Sequence, residues 1–244
     1  MEWSDDAIML SVRAHGENAA IVDALTRGHG RHAGLVRGGA SRRSKATLQP
    51  GNSLHVVWRA RLSEHLGSYT VEAARARAGK LLEGRASLMG LNAFTSVALA
   101  ALPEREPHGS VYEAGLVLLD AMAEGEFADW GPLYVRWETG LLDELGFGLD
   151  LTQCAATGAT DELTFVSPRS GRAVSTAAAA PYRERLLALP PFLLGSQNAV
   201  TGQDIAAGLK LTAHFLADRV LAPHGKQLPP ARIRLEELAA RESE

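Results

Sequence analysis

Residues 54–61, Leu54-His55-Val56-Val57-Trp58-Arg59-Ala60-Arg61, put Leu54, Val56, Trp58 and Ala60 on one parity and His55, Val57, Arg59 and Arg61 on the other. A period of two is the mark of a strand with one buried face. Upstream, Gln49-Pro50-Gly51-Asn52 is a strong turn signal. Downstream, Leu66–Ala73 reads as a further strand. Nearer the start, Ile8, Leu10 and Val12 alternate with Met9, Ser11 and Arg13, and Ala19–Leu25 follows the turn at residues 14–18. The turn Arg27-Gly28-His29-Gly30 then leads into Ala33-Gly34-Leu35-Val36. Five short strands with glycine-rich turns in under eighty residues predict a small closed or partly closed barrel of the OB type.

From about residue 80 the period changes to that of helices. Leu88, Leu91, Phe94, Val97 and Ala101 share a face ahead of Pro103. Ser110 with Glu113 matches a capping box, and Pro132 is expected to start a third helix that closes at Gly146. Thr201 with Asp204 caps a long helix that Pro223 stops, and a short helix is expected over 231–241. Within this region Leu163–Val166 and Arg172–Val174 read as two short strands around the turn Ser167–Gly171. The expected fold class is therefore α+β with two domains. These are an OB-fold over residues 1–78 and a mainly helical domain over 79–244 with a β insertion at about 150–178.

Charge is divided unevenly along the chain. Residues 1–80 hold 12 Lys and Arg against 7 Asp and Glu, while the remainder holds 13 against 21, within a net charge of −3. The block Gly30–Lys45 contains Arg31, His32, Arg37, Arg42, Arg43 and Lys45, and no carboxylate. A glycine- and serine-rich cationic loop on a strand scaffold is suited to phosphate contact, so Arg31, Arg37, Arg42, Arg43 and Lys45 are candidate DNA-binding residues. Arg59 and Arg61, two apart on one strand, would extend that track. Trp58 belongs to the apolar parity and is expected in the core, whereas Tyr69 is left open between core and stacking platform. Sparse exposed aromatics favour backbone-dominated binding without sequence preference.

Other chemistry finds little support. Gly38-Gly39-Ala40-Ser41 lacks the Lys-Ser/Thr of a phosphate loop, no nucleophile elbow occurs, and carboxylates are scattered, so no enzyme activity is expected. The histidines at 15, 29, 32, 55 and 65 form no metal-ligand spacing with other ligand types. No apolar run reaches eighteen residues, so no membrane span is expected. The acidic start Met1–Asp6 and the single Cys154 fit a cytoplasmic protein. Composition alone leaves open an OB-fold RNA- or ribosome-associated binding factor.

Several segments in order resemble the RecO family of recombination mediators. They are Ala7–Arg13, Gly16-Glu17, Leu25–Gly30, Gly34–Gly39, Leu48–Gly51, Arg136-Trp137-Glu138, Leu141-Leu142, Leu145–Phe147 and Pro223-His224-Gly225 with Leu228. The resemblance implies an OB-fold followed by a helical domain. It further implies binding of single- and double-stranded DNA, annealing of complementary strands, and work with RecR to load RecA onto DNA coated by single-strand-binding protein (SSB), in association with the nucleoid. By the same resemblance Arg136, with Trp137 and Leu133, would accept the acidic C-terminal tail of SSB. Many members carry a four-cysteine zinc site. Here its positions fall at Cys154, Thr157, Ser175 and Ala178, so no zinc and no other cofactor is expected, and Leu163, Phe165, Val166 and Val174 would hold a metal-free remnant.

Overall fold

The computed structural model describes residues 1–196 and 198–243. They fall into two compact units, Met1–Glu124 and Gly125–Glu244.

The first unit is built on five strands: β1 (Glu2–His15), β2 (Ala19–Thr26), β3 (Gly30–Arg37), β4 (Ser53–Arg59) and β5 (Ser68–Arg75). They close into a barrel in the order β1-β2-β3-β5-β4. All pairings are antiparallel except β3 with β5, where only Leu35↔Ser68 and Val36↔Tyr69 are in register. That order and the single short parallel pair are the topology of an OB-fold, as the strand pattern predicts.

The parity of β1 differs from the simple alternation. Met9 joins Ala7, Val22, Val56, Trp58 and Tyr69 in the barrel core. Ile8 and Leu10 are equally buried, while Val12 is 39 % exposed. A β-bulge between Met9 and Ser11 breaks the alternation: the extra residue puts Val12, paired with Val22, on the face of Met9 and off the face of Ile8. Ile8 packs instead on the helical side, where a Cβ on Gly115 would lie 3.4 Å from its Cδ1.

Between β3 and β4 lies a short helix, α1 (Arg42–Thr47), where the sequence reading has only a loop. After the barrel come α2 (Ala78–Glu83), α3 (Arg85–Ala101) and α4 (Gly109–Glu124), all within the first compact unit. Gly51 shows how closely they approach. Its φ of +87° is in the left-handed region that favours glycine, and a Cβ there would come within 2.8 Å and 2.9 Å of the terminal methyls of Leu81 and Leu91, which would have to shift.

In the second unit, α5 (Phe127–Glu144) begins five residues before Pro132. Glu126 and Asp129 form a capping box there, and Pro132 is carried inside the helix. Strands β6 (Leu163–Val166) and β7 (Ala173–Ser175) form the foreseen hairpin, and β7 runs into a one-turn helix, α6 (Thr176–Ala179). A short strand, β8 (Leu187–Ala188), which the sequence reading lacks, completes a sheet in the order β7-β6-β8. Helix α7 (Gly202–Phe215) has the expected Thr201–Asp204 capping box and continues as a π-helical stretch, Leu216–Leu221. Helix α8 (Pro230–Glu242) follows. Arg232 from α8 and Glu138 from α5 are fully buried together in this unit. No helix among the described residues is long and apolar enough to cross a membrane.

Candidate nucleic-acid interface

The cationic block Gly30–Lys45 is a strand end, a turn and a helix. Ser41 caps α1, its Oγ accepting from the backbone amide of Ser44 at 3.2 Å. The far end is fastened by the buried Asn52, whose side-chain amide donates to the carbonyls of Ala46 and Thr47, each at 3.1 Å. The carbonyl oxygen of the same side chain accepts from the amides of Arg77 (2.9 Å) and Ala78 (3.0 Å). Leu48, next in sequence, is wholly buried in the barrel core. A six-residue helix is too short to persist in water by itself. Here the cap, the Asn52 clamp and the Leu48 anchor hold it.

This anchoring leaves the basic side chains outside. Arg37, Arg42, Arg43 and Lys45 are exposed, and none enters an ion pair among the described residues. An open groove of about 520 Å³ is lined by Arg37 and Ser44 on one side and by Arg59, Ser68 and Thr70 on the other. A second hollow, of about 350 Å³, shares Ser44 and Val71 with it and adds Arg43, Thr47 and Glu72. Together they make a continuous trough between α1 and β5. Arg59 is paired with Glu2 at 2.7 Å, a hydrogen bond that holds the Glu2 carboxyl below its ordinary pKa and raises that of Arg59. Both partners are well exposed, so solvent screens the pair and phosphate can compete for it.

Of the sequence candidates, Arg42 and Lys45 are exposed on α1 without lining the trough, and two more lie elsewhere altogether. Arg31 is on β3 with its guanidinium largely enclosed: its Nε donates to the Leu102 carbonyl at 2.9 Å, and Nη1 lies 3.4 Å from Glu104. It is engaged inside the first unit. Arg61 is exposed but does not continue the face of Arg59, because β4 ends at Arg59 and Arg61 falls in the bend that follows. Trp58 and Tyr69 are both core residues, at 2 % and 4 % exposure. The trough therefore offers cations and hydroxyls, with Glu72 the one carboxylate on its lining.

In the second unit Arg136 is exposed, donates to the Phe192 carbonyl at 3.0 Å and lies over the Phe192 ring at 5.7 Å. Trp137 is buried and supports α5 from inside instead of forming a surface beside Arg136, because successive helix positions point about 100° apart. Around Cys154 the thiol sulfur accepts from the amide (3.3 Å) and hydroxyl (3.5 Å) of Ser175. These bonds and one from Thr157 favour the thiolate and lower its pKa to about 6. Thr157 and Ser175, two of the four positions that the resemblance assigns to a zinc site, thus carry hydroxyls that bond to the Cys154 sulfur. A zinc ion needs about four N or S ligands, and among the described residues no three His, Cys, Asp or Glu are grouped to hold a metal. The residues present do not fit that metal.

Two family models match the chain. Recombination protein O N terminal covers residues 1–77, and Recombination protein O C terminal covers residues 82–228. The chain belongs to the RecO family. Relatives bearing the name DNA repair protein RecO are similar over nearly their whole length. That of Cereibacter sphaeroides is 51% identical over 243 residues, covering 99% of this chain and 100% of the relative. That of Rhodospirillum centenum is 52% identical over 236 residues (96% and 93%), and that of Sinorhizobium medicae 51% over 232 (95% and 92%). This RecO-family chain is thus a DNA repair protein of recombination by kinship, and its OB-fold bears the trough. The models part between residues 77 and 82, whereas α2–α4 cluster with the barrel in the first compact unit.

What the sequence reading of the RecO-family chain lacks is Asn52, which sets the position of α1. Gln49-Pro50-Gly51-Asn52 signals only a turn, and a side chain bridging four backbone groups leaves no periodic trace. Ser41-x-x-Ser44 was the available sign of the helix start.

Proposed function

We propose that this chain binds single- and double-stranded DNA along the trough between α1 and β5, anneals complementary strands, and works with RecR to load RecA onto SSB-coated DNA. The observation that carries the first part is the exposed cations Arg37 and Arg43, set with Arg59 along an open groove of an OB barrel, with Arg42 and Lys45 exposed on the same short helix α1; apart from Arg59 all of these are free of ion pairs among the described residues. Each phosphate neutralised there releases counterions, and two strands held on a cationic surface repel each other less. The trough is lined by one carboxylate, which supports a role in binding without bond cleavage. A cytoplasmic, nucleoid-associated location goes with such a role.

The partner functions are inferred from the family. For the acidic SSB tail the second unit offers Arg136, held over Phe192, as a point of charge recognition. Charge reversal, Arg136→Glu, is expected to abolish binding of the tail peptide, and an unchanged affinity would remove this assignment.

The function as a whole is tested by mixing complementary labelled strands with and without the protein. Faster annealing, competed better by single-stranded DNA than by RNA of equal length, is the expected result. Annealing at the uncatalysed rate, or a preference for RNA, would overturn it.

A further inference from the structure

One end of the barrel carries a second, chemically different recess. It measures about 260 Å³, is mainly apolar, and is lined by Trp3, His29, His32, Trp58, Ser63 and Arg105 among others. Its walls are flat rings. Trp3 stacks on His29 with centroids 4.0 Å apart and planes within 6°. Behind it Trp58 is nearly parallel, at 5.6 Å and 18°, and His32 meets Trp58 edge-on at 4.9 Å. The rings are held in place from outside. Asp5 fixes His29 through Nδ1 at 2.9 Å, and the Trp58 indole donates to the Leu66 carbonyl at 3.0 Å.

The rim is fixed as well. Arg105 adopts φ +63°, in the left-handed region, which costs a non-glycine residue free energy and calls for a reason. Its guanidinium donates to the carbonyls of Ser63 (2.6 Å), Glu64 (3.2 Å) and His65 (3.0 Å). Its own amide donates to the Arg31 carbonyl at 2.8 Å. The strained residue thus ties the β4–β5 connection down and shapes the recess. Gly30 completes the fit, since any Cβ there would strike the Glu106 backbone at 1.9 Å.

A recess below the roughly 300–1,000 Å³ of drug-sized pockets suits one planar ring system. It lies at the same end of β4 as the trough: Trp58 lines the recess and Arg59, the last residue of β4, lines the trough from the opposite face of the strand, so a single strand passing around that strand end can reach both. We propose that this recess receives one unstacked base of a single strand whose phosphates lie in the trough. The inference rests on the DNA-binding reading above. It adds base contact to a protein whose trough reads only backbone, and it makes single strands distinguishable from duplex, whose bases are already stacked.

The test compares the full chain binding an oligothymidylate and an abasic deoxyribose-phosphate oligomer of equal length, by affinity and by tryptophan emission. Trp130 and Trp137 are buried in the second unit, so a base entering the recess reports through Trp3 and Trp58. The oligothymidylate should bind roughly 5- to 150-fold more tightly and quench the emission, while the abasic oligomer leaves it unchanged. Ser63→Phe, which fills the recess, and His29→Ala, which removes one ring of the stack, should each bring thymidylate affinity down to the abasic level with abasic binding retained. Equal affinity for the two wild-type ligands without quenching, or a preference that survives both substitutions, overturns the recess and leaves the trough standing. Binding of neither ligand overturns both.

Discussion

The side-chain amide of Asn52 donates to the carbonyl of Thr47 at 3.1 Å and so fastens the last turn of α1 to the barrel. The same side chain accepts from the amides that open α2, so one buried residue sets both the position of the cationic helix and the start of the helical layer. Replacing Asn52 by Leu leaves two buried amides and two carbonyls without this partner. A loss of about 2–4 kcal/mol in urea unfolding is expected, at about 1–3 kcal/mol for each poorly satisfied buried group with partial relaxation. DNA affinity should fall too, because α1 loses its tether; a variant as stable as wild type would show that Asn52 is dispensable.

In the second unit Arg232 and Glu138 form a buried pair, with Nε–Oε1 at 2.6 Å and Nη2–Oε2 at 2.9 Å, and Nη2 also donates to the Leu209 carbonyl at 2.6 Å. Arg232→Met strands a buried carboxylate and is expected to cost about 3–5 kcal/mol. The double variant Glu138→Leu/Arg232→Met should recover most of that, since two apolar groups leave no charge to solvate. Chemical denaturation of the three proteins decides it, and a double variant less stable than the single one would contradict the reading.

Cys154 is held by the amide and hydroxyl of Ser175 and not by a metal cage. The melting temperature should therefore be indifferent to strong chelators and to added zinc. Cys154→Ala should cost about 1–2 kcal/mol through the lost hydrogen bonds. A melting temperature that drops on chelation would contradict this.

His32 is buried, and desolvation lowers its pKa, against a smaller raising effect from its hydrogen bond to the Ala33 carbonyl. Its contribution to stability is complete above the ordinary histidine value of about 6.5. It is lost as pH falls from there through the lowered folded-state value, because the unfolded chain takes up a proton that the folded one resists. Comparing unfolding of wild type and His32→Gln from neutral to mildly acid pH should show a shallower decline in the variant. Parallel declines would place the acid sensitivity elsewhere.

The barrel was legible because its strands alternate and its turns carry glycine, and Trp58 followed from its parity in β4. Where legibility failed, a local cause can be named. The bulge at Met9–Ser11 puts Ile8 and Val12 on different faces of β1, and periodicity does not register one inserted residue. Arg31 looked like its neighbours in a basic run, but strand position turned it toward Leu102 and Glu104. Arg61 shared the parity of Arg59 in sequence, yet β4 ends between them. Trp137 was assigned to a surface from a motif, and the helix turned it inward. The aromatic recess joins Trp3, His29, His32 and Trp58 from four parts of the barrel, a proximity that only closure creates.

The central claim is that Arg42, Arg43 and Lys45 on α1 contact DNA phosphates, and salt dependence measures such contacts directly. Binding of a labelled single strand is titrated over a range of salt for wild type and for the triple replacement of these residues by Gln. Each lost phosphate contact reduces the log–log slope by about 0.7, so the triple variant should bind more weakly with a slope shallower by about 2, at an unchanged melting temperature. An unchanged slope and affinity would contradict the assignment and place the DNA on another surface.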